Sequence, residues 1–130
     1  MRAGEVLGKY GRQGTMKQRM FSLSDDLQHI QYKGKGFTSI PLTSVTQLSS
    51  GRDSAVFRSK DGDMFCTHKV KYSQLCAVSF TLHYEEPDGT YRTLDLQCLG
   101  SAQQGRKPAD QFLLWFHGLG YLVRDRKSVV

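Results

Sequence analysis

The chain carries a concentration of cationic residues near its start, in a stretch that is typical of two short strands joined by a glycine-containing loop. The first strand carries Lys9, and the second carries Lys17, Arg19 and Phe21. Because the side chains of a strand alternate between its two faces, these four residues are predicted to share one face of an antiparallel pair. Like charges that lie side by side destabilise a sheet. A cluster kept despite this cost suggests a binding site for an anion with several negative charges.

The residues around this hairpin predict a run of short antiparallel strands. Apolar segments alternate with turn residues at roughly regular intervals, which is the pattern of a meander. The strands predicted for this part of the chain are Glu5–Tyr10, Lys17–Ser22, Gln28–Lys33 and Thr38–Gln47. Pro41, inside the fourth strand, predicts an edge position or a bulge there, because proline lacks the N–H group that a central strand needs.

The next part of the chain begins with its least regular stretch. Residues 51–74 predict a long irregular connection, with short strands near Ala55–Arg58 and Phe65–Thr67. A hairpin over residues 77–98 follows, with proline and glycine in its turn. Apolar and polar residues alternate in both of its strands, as expected of a sheet that is covered on one face.

The end of the chain predicts one amphipathic helix. Pro108 suits its first position, and Asp110 complements the helix dipole. The apolar residues that recur at helical spacing are Phe112, Trp115, Phe116, Leu119, Leu122 and Val123. Strands followed by one helix imply a curved antiparallel sheet, or two sheets, with the helix closing one end.

Length and composition indicate one globular domain over residues 1–130, with a core over about residues 4–124 and a flexible tail over residues 125–130. The formal net charge of +6 favours an anionic partner, such as lipid headgroups, nucleic acid or an acidic protein. No apolar run reaches the roughly 20 residues that cross a bilayer. Cys66, Cys76 and Cys98 form no CxxC pair, which fits a reducing compartment, and we expect them to fill space in strands.

Signals for catalysis and for a bound metal are weak. The four histidines show no ligand spacing with Cys, Asp or Glu. The sequence contains no phosphate-binding GxxxxGK[ST] loop, no GxSxG nucleophile motif and no paired-carboxylate signature. We therefore expect a protein that is not an enzyme and that needs no metal or other cofactor.

The order of elements and the basic hairpin together resemble the pleckstrin homology (PH) domain. Phosphoinositide-binding members of that family carry Lys, a variable gap and then Lys/Arg-x-Arg-x-Phe across the first two strands. Lys9, Lys17, Arg19 and Phe21 match this pattern, and Trp115 matches the tryptophan of the family's helix. The resemblance implies a mainly β fold: a seven-stranded bent antiparallel barrel of two near-orthogonal sheets, capped by the C-terminal α-helix.

The resemblance covers about residues 4–124. The chain is similar in detail to the PH domains of phospholipase C enzymes and of plant proteins that join PH, chromosome-condensation-regulator and FYVE modules. The segments that carry the likeness to the plant proteins are Leu7–Gly14, Ser39–Gly51, Arg92–Leu96 and Trp115–Leu119. Two longer connections, Arg52–Gln74 and Glu85–Tyr91, depart from the family pattern.

The resemblance implies a non-catalytic module that targets itself, or a parent protein, from the cytoplasm to phosphoinositide-bearing membranes. Arg19 would bind a phosphate bidentately, with Lys9 and Lys17 beside it as point charges. Arg12, in the loop, could contact a phosphate or the bilayer surface. The end of the third strand and the loop after it would form the other wall of the pocket. The predicted headgroup-binding residues are Lys9, Arg12, Lys17, Arg19, Tyr32, Lys33 and Lys35.

From the sequence alone, other interpretations of these residues and of the function stay open. Lys17 and Arg19 also fit solvated cations on a strand edge, and Lys33 and Lys35 also fit ordinary turn residues. The alternative function is a PH-like protein-interaction scaffold with a vestigial basic pocket. A small nucleic-acid-binding barrel is less favoured, because it requires aromatic side chains among the cations on an exposed face, whereas most aromatic residues here fall on apolar faces.

Overall fold

The computed structural model describes residues 3–128 of the chain, with side chains described up to Val123. The strands are β1 (Glu5–Tyr10), β2 (Met16–Leu23), β3 (His29–Lys33), β4 (Phe37–Pro41), β5 (Val45–Ser50), β6 (Ser79–Glu85) and β7 (Tyr91–Cys98). The α-helices are α1 (Ala55–Asp61), α2 (Met64–Thr67), α3 (Lys69–Cys76) and α4 (Pro108–Ser128).

The strands form one seven-stranded sheet in the order β4-β3-β2-β1-β7-β6-β5. Every neighbouring pair is antiparallel. The predicted mainly β fold with a C-terminal helix is therefore confirmed. The ladders of the described residues do not close into a barrel of two sheets, because β4 and β5 remain as the edges of a single sheet.

A short 3-10 turn over Leu42–Ser44 divides the predicted fourth strand, Thr38–Gln47, into β4 and β5. Pro41 ends β4, which is an edge strand, so its predicted edge position is confirmed. A flat sheet of seven strands would place its edges about 29 Å apart, whereas the residues from Pro41 to Val45 span at most about 14 Å. The sheet is therefore strongly bent, and its two edges approach each other at this turn.

The connection after β5 is helical, so the expected strands at Ala55–Arg58 and Phe65–Thr67 are wrong. Helix α1 begins after Ser54, whose side chain accepts a hydrogen bond from the Phe57 N–H at 3.2 Å. The helix ends at Gly62, where φ is 57°. A serine before a helix and a glycine after it are ordinary cap residues. The preference of these two residues for helix ends overrides the short apolar run that predicted a strand.

The core lies between one face of the sheet and α4. The helix begins at Pro108, as predicted, and its Trp115 is fully buried. Phe112 and Phe116 stack with ring centroids 5.1 Å apart, and both contact Phe80 of β6. The α4 backbone is helical through Ser128, the flexible tail over residues 125–130 stays a prediction, and residues 129–130 lie outside the described part.

The three cysteines are free thiols. Cys98 is buried in β7, as expected of a residue that fills space in a strand, and burial raises the pKa of its thiol to about 12. Cys66 and Cys76 lie on α2 and α3 instead, so the strand prediction is wrong for these two.

Candidate functional site

The hairpin of β1 and β2 has the register that the strand pattern predicts. Lys9 is directly opposite Lys17, and Leu7 is directly opposite Arg19. Paired residues of an antiparallel sheet point to the same face. Leu7 and Phe21 are fully buried on that face, whereas Lys9 and Arg19 are half-buried and Lys17 is exposed. The core face therefore continues outward into a cationic end, at the end of the hairpin that carries the loop.

A cleft of about 550 Å³, here called the basic cleft, opens beside this hairpin. Its lining residues are Lys9, Gly11, Arg12, Gln13, Thr15, Lys17 and Arg19. They include four of the predicted site cations, and none of the described residues that line the cleft carries a carboxylate. A cleft lined by charges of one sign attracts ligands of the opposite sign.

The loop between β1 and β2 is a tight turn. The Gly14 N–H donates to the Gly11 carbonyl at 2.8 Å, and the Gly11 N–H donates to the Thr15 carbonyl at 3.0 Å. Gly14 has a φ of 80°, which glycine adopts without strain. This turn brings Gln13 and Thr15 to the wall of the basic cleft. Neither is among the predicted site residues, although both lie between the predicted cations Arg12 and Lys17 in the sequence.

Lys9 is the most constrained cation of the cleft. Burial lowers the pKa of its ammonium group, the charge of Arg19 lowers it further, and Asp95 acts in the opposite direction. Its Nζ lies 5.5 Å from the centroid of the Tyr32 ring. That ring packs against Phe21, with centroids 4.9 Å apart. Tyr32 therefore supports Lys9 from the core side and does not belong to the cleft lining.

Lys33 and Lys35 do not form the predicted second wall of the pocket. Lys33 pairs with Met20, so it lies on the opposite face of the sheet from Arg19. Lys35 is exposed in the turn between β3 and β4, and neither lysine lines the basic cleft. The turn does border the cleft, because a Cβ atom added at Gly34 would lie 3.1 Å from Nε of Arg19.

A buried ion pair supports the hairpin from the opposite face of the sheet. Arg52 is 2% exposed and donates from Nε and Nη2 to the two carboxylate oxygens of Asp61, at 2.8 Å each. Its guanidinium carbon lies 4.8 Å from the ring centroid of Tyr10 and 4.2 Å from that of Phe57. Because Tyr10 ends β1, this cluster attaches α1 to the strand that carries Lys9.

The same cluster also reaches β7. The Tyr10 hydroxyl donates to Oε1 of Gln97 at 2.6 Å, and Nη1 of Arg52 donates to the same oxygen at 3.3 Å. This support of the hairpin is not predicted from the sequence. Arg52 and Asp61 are nine residues apart within the stretch expected to be irregular, and only the folded chain brings them together.

A second cleft, of about 640 Å³, lies between α1 and the strands β5, β6 and β7, and it shares Lys9, Gly11 and Arg12 with the basic cleft. It contains the buried residue Asp95. The Asp95 carboxylate accepts hydrogen bonds from the hydroxyl groups of Ser54, of Thr81 at 2.9 Å and of Thr93 at 2.8 Å. The lining of this second cleft combines Lys9, Arg12 and Arg92 with that carboxylate, whereas the lining of the basic cleft has four cations and no carboxylate, so the basic cleft is the better anion site.

Among the described residues, no group of three or more His, Cys, Asp or Glu side chains could hold a metal ion. None of the described helices combines the length and the apolar character needed to cross a membrane. No protein-family model matches the chain, and no curated protein matches it either. The chemistry of the basic cleft is therefore the basis for assigning a function.

Proposed function

We propose that this chain is a PH-like, non-catalytic module that binds phosphoinositide headgroups. It would target itself, or a parent protein, to membrane surfaces as a peripheral protein of the cytoplasm. The observation that carries the proposal is the gathering of Lys9, Arg12, Lys17 and Arg19 around one cleft. In this proposal the strongly bent sheet corresponds to the PH barrel and α4 to its cap, and binding needs no metal or other cofactor.

Each cation of the cleft has a distinct role in the proposal. The phosphates of an inositol headgroup lie a few ångströms apart, so one headgroup can reach several cations of a rigid hairpin. Arg19 makes the central contact, because its planar guanidinium can bind a phosphate bidentately. Lys9 and Lys17, opposite each other, act as point charges beside it. Arg12, in the loop, contacts either a phosphate or the bilayer surface.

The electrostatics of the basic cleft favour this ligand class. The charge of Arg19 contributes to the lowered pKa of Lys9, so the two cations repel each other. A phosphate between them offsets that repulsion. Tyr32 on one side and the Arg52 cluster on the other hold β1 in place. Little additional ordering is then needed on binding, which favours affinity.

A membrane surface suits the cleft better than nucleic acid does. Each cation near an anionic leaflet contributes about 1 kcal/mol, so the grouped cations support membrane association without a lipid anchor. Proteins that bind single-stranded nucleic acid stack bases on exposed aromatic rings. Two aromatic rings beside these cations are packed in the sheet instead, since Tyr10 is 8% exposed and Tyr32 is half-buried.

Protein interaction is the second candidate function, and the helical segment between β5 and β6 favours it. Helices α2 and α3 contribute no buried residue. Phe65 is 58% exposed and Val70 is 73% exposed. Exposed apolar side chains of this kind occur at protein-binding surfaces. No described residue of α2 or α3 lines the basic cleft, so the two functions can be tested separately.

Sedimentation with a panel of vesicles that vary the number and position of inositol phosphates tests the proposal. We expect binding to phosphoinositide vesicles that weakens as salt rises, because the contacts are ionic. The double variant Lys17→Ala/Arg19→Ala should lose most of this binding. The matched control Lys69→Ala/Lys71→Ala, which removes the same charge from the exposed surface of α3, should keep most of it. Failure to bind any phosphoinositide at moderate salt would favour the protein-interaction function.

A further inference from the structure

A row of side chains crosses four strands on the face of the sheet opposite to the basic cleft. Val6 pairs with Met20, Met20 pairs with Lys33, and Lys33 pairs with Phe37. Two members of the row are large apolar residues in contact with solvent: Phe37 is 67% exposed and Met20 is 49% exposed. We refer to Met20, Lys33, Lys35 and Phe37 as the outer rim.

The outer rim lies at the same end of the sheet as the basic cleft. Strand β3 ends at Lys33 and β4 begins at Phe37, so the turn between them, Gly34–Gly36, is at the end of the sheet where the loop between β1 and β2 also lies. Gly34 packs against Arg19 of the cleft. A surface that approaches the cleft from that end therefore also meets Phe37.

The composition of the outer rim matches the boundary between headgroups and acyl chains of a bilayer. Lys33 and Lys35 are exposed cations, and Phe37 and Met20 are exposed apolar groups next to them. Peripheral proteins combine apolar side chains that enter the acyl boundary with cations that contact lipid phosphates. A second protein copy is a poorer match, because the same lysines on both copies would repel each other.

We propose that the outer rim inserts into an anionic membrane, with Phe37 and Met20 entering the acyl boundary and Lys33 and Lys35 contacting lipid phosphates. The inference rests on the proposed membrane-binding function and adds a second contact to it. It assigns a role to the two lysines that do not line the cleft. Binding of a free headgroup would use the cleft alone, whereas binding of a vesicle would use both surfaces.

Tryptophan fluorescence with brominated lipids tests the insertion directly. Trp115 is the single tryptophan of the chain and is fully buried, so lipid quenchers cannot reach it in the wild-type protein. Phe37→Trp places a reporter on the outer rim. Leu113→Trp is the matched control, because Leu113 is 52% exposed on α4, close to Gln111, which bonds to Glu5 at the other end of β1. We expect quenching of the Phe37→Trp protein alone.

Two affinities distinguish insertion from headgroup binding. Phe37→Ala should weaken binding to phosphoinositide vesicles about tenfold and leave binding of a free inositol polyphosphate unchanged. An unquenched Phe37→Trp protein, or unchanged vesicle affinity of Phe37→Ala, would overturn the inference while the proposed function stands. Self-association that depends on Phe37 would overturn it in favour of a second copy.

Vesicles of phosphatidylserine and phosphatidylcholine, without phosphoinositide, separate the remaining cases. Quenching on these vesicles, in a protein that binds no inositol polyphosphate, would support insertion while contradicting the headgroup function. Absence of binding to free headgroups and to every vesicle would overturn both proposals. Equal thermal stability of the wild-type, Phe37→Ala and Phe37→Trp proteins checks that the exposed substitution leaves the fold intact.

Discussion

Lys9 and Lys17 are direct cross-strand neighbours on the hairpin of β1 and β2. Like charges in such a pair destabilise a sheet. The side chain of Lys9 is held over the Tyr32 ring, next to Arg19, and cannot move far from the other cations. Residues that lower the stability of the fold, as this pair does, are common at functional sites. The pair indicates that this end of the sheet gives up stability for charge density.

Replacing Lys9 with methionine should stabilise the fold and weaken anion binding. Methionine keeps an unbranched stem against the Tyr32 ring and removes the repulsion from Lys17 and Arg19. We expect the free energy of unfolding to rise by about 0.2–1 kcal/mol, which corresponds to a rise in Tm of roughly 1–4 °C. Thermal unfolding followed by circular dichroism measures the change. A lower Tm would contradict the argument that the charge of Lys9 costs the fold stability.

The lowered pKa of Lys9 also predicts the pH dependence of stability and binding. Its folded-state pKa lies below the ordinary value of 10.5. Lys9 therefore destabilises the folded state at neutral pH, and this cost disappears as the pH rises from the folded-state pKa to the unfolded one. A bound phosphate raises the pKa again, so anion binding takes up protons in that alkaline range. Titration calorimetry in two buffers of different ionisation enthalpy should detect this uptake in the wild-type protein and not in Lys9→Met.

Gly34 and Gly36 provide a matched pair of substitutions in the turn beside the cleft. A Cβ atom at Gly34 would lie 3.1 Å from Nε of Arg19, whereas a Cβ atom at Gly36 would meet nothing within 4 Å. Gly34→Ala should displace the Arg19 side chain and weaken binding of an inositol polyphosphate about threefold or more, because bidentate contacts depend on geometry. Gly36→Ala should leave affinity unchanged. Equal affinities of the two variants would contradict the central role of Arg19.

The ion pair of Arg52 and Asp61 should dominate the stability of the helical connection. Arg52→Met leaves the Asp61 carboxylate buried without its partner, and breaking a buried pair in this way costs about 3–5 kcal/mol. The double variant Arg52→Met/Asp61→Leu removes both charges and should recover much of the loss. Urea unfolding of the single and double variants measures both effects. A cost below about 1 kcal/mol for the single variant would show that α1 is held mainly by its apolar contacts.

Much of the fold follows from the period of the apolar residues. Alternation with period two predicts β1, β2, β3 and the hairpin of β6 and β7, and the spacing around Trp115 predicts α4. The period of the apolar residues does not predict the helices between β5 and β6, because they are short and mostly exposed. The cap residues Ser54 and Gly62 mark the ends of α1, whereas α2 and α3 have no side-chain cap. The curvature of the sheet depends on how its edges meet, which no local pattern encodes.

The alternation of side chains along a strand also predicts part of the candidate site. Alternation correctly places Lys9, Lys17 and Arg19 on one face. In the third strand, the same rule allows only one of Tyr32 and Lys33 to share the sheet face of Lys9 and Arg19. In the structure that residue is Tyr32. The support from Arg52 could not be predicted, because its contacts with Tyr10 and Gln97 join segments that are distant in the sequence.

Mapping the binding of a free inositol polyphosphate by amide chemical shifts tests the central claim most directly. Titration of the ¹⁵N-labelled protein should give the largest shifts at Lys9, across the loop from Gly11 to Thr15, and at Lys17 and Arg19. The same titration of Lys17→Ala/Arg19→Ala should give small shifts at most. Shifts that centre on α2 and α3, or that persist unchanged in the double variant, would contradict the assignment of the basic cleft as the anion site.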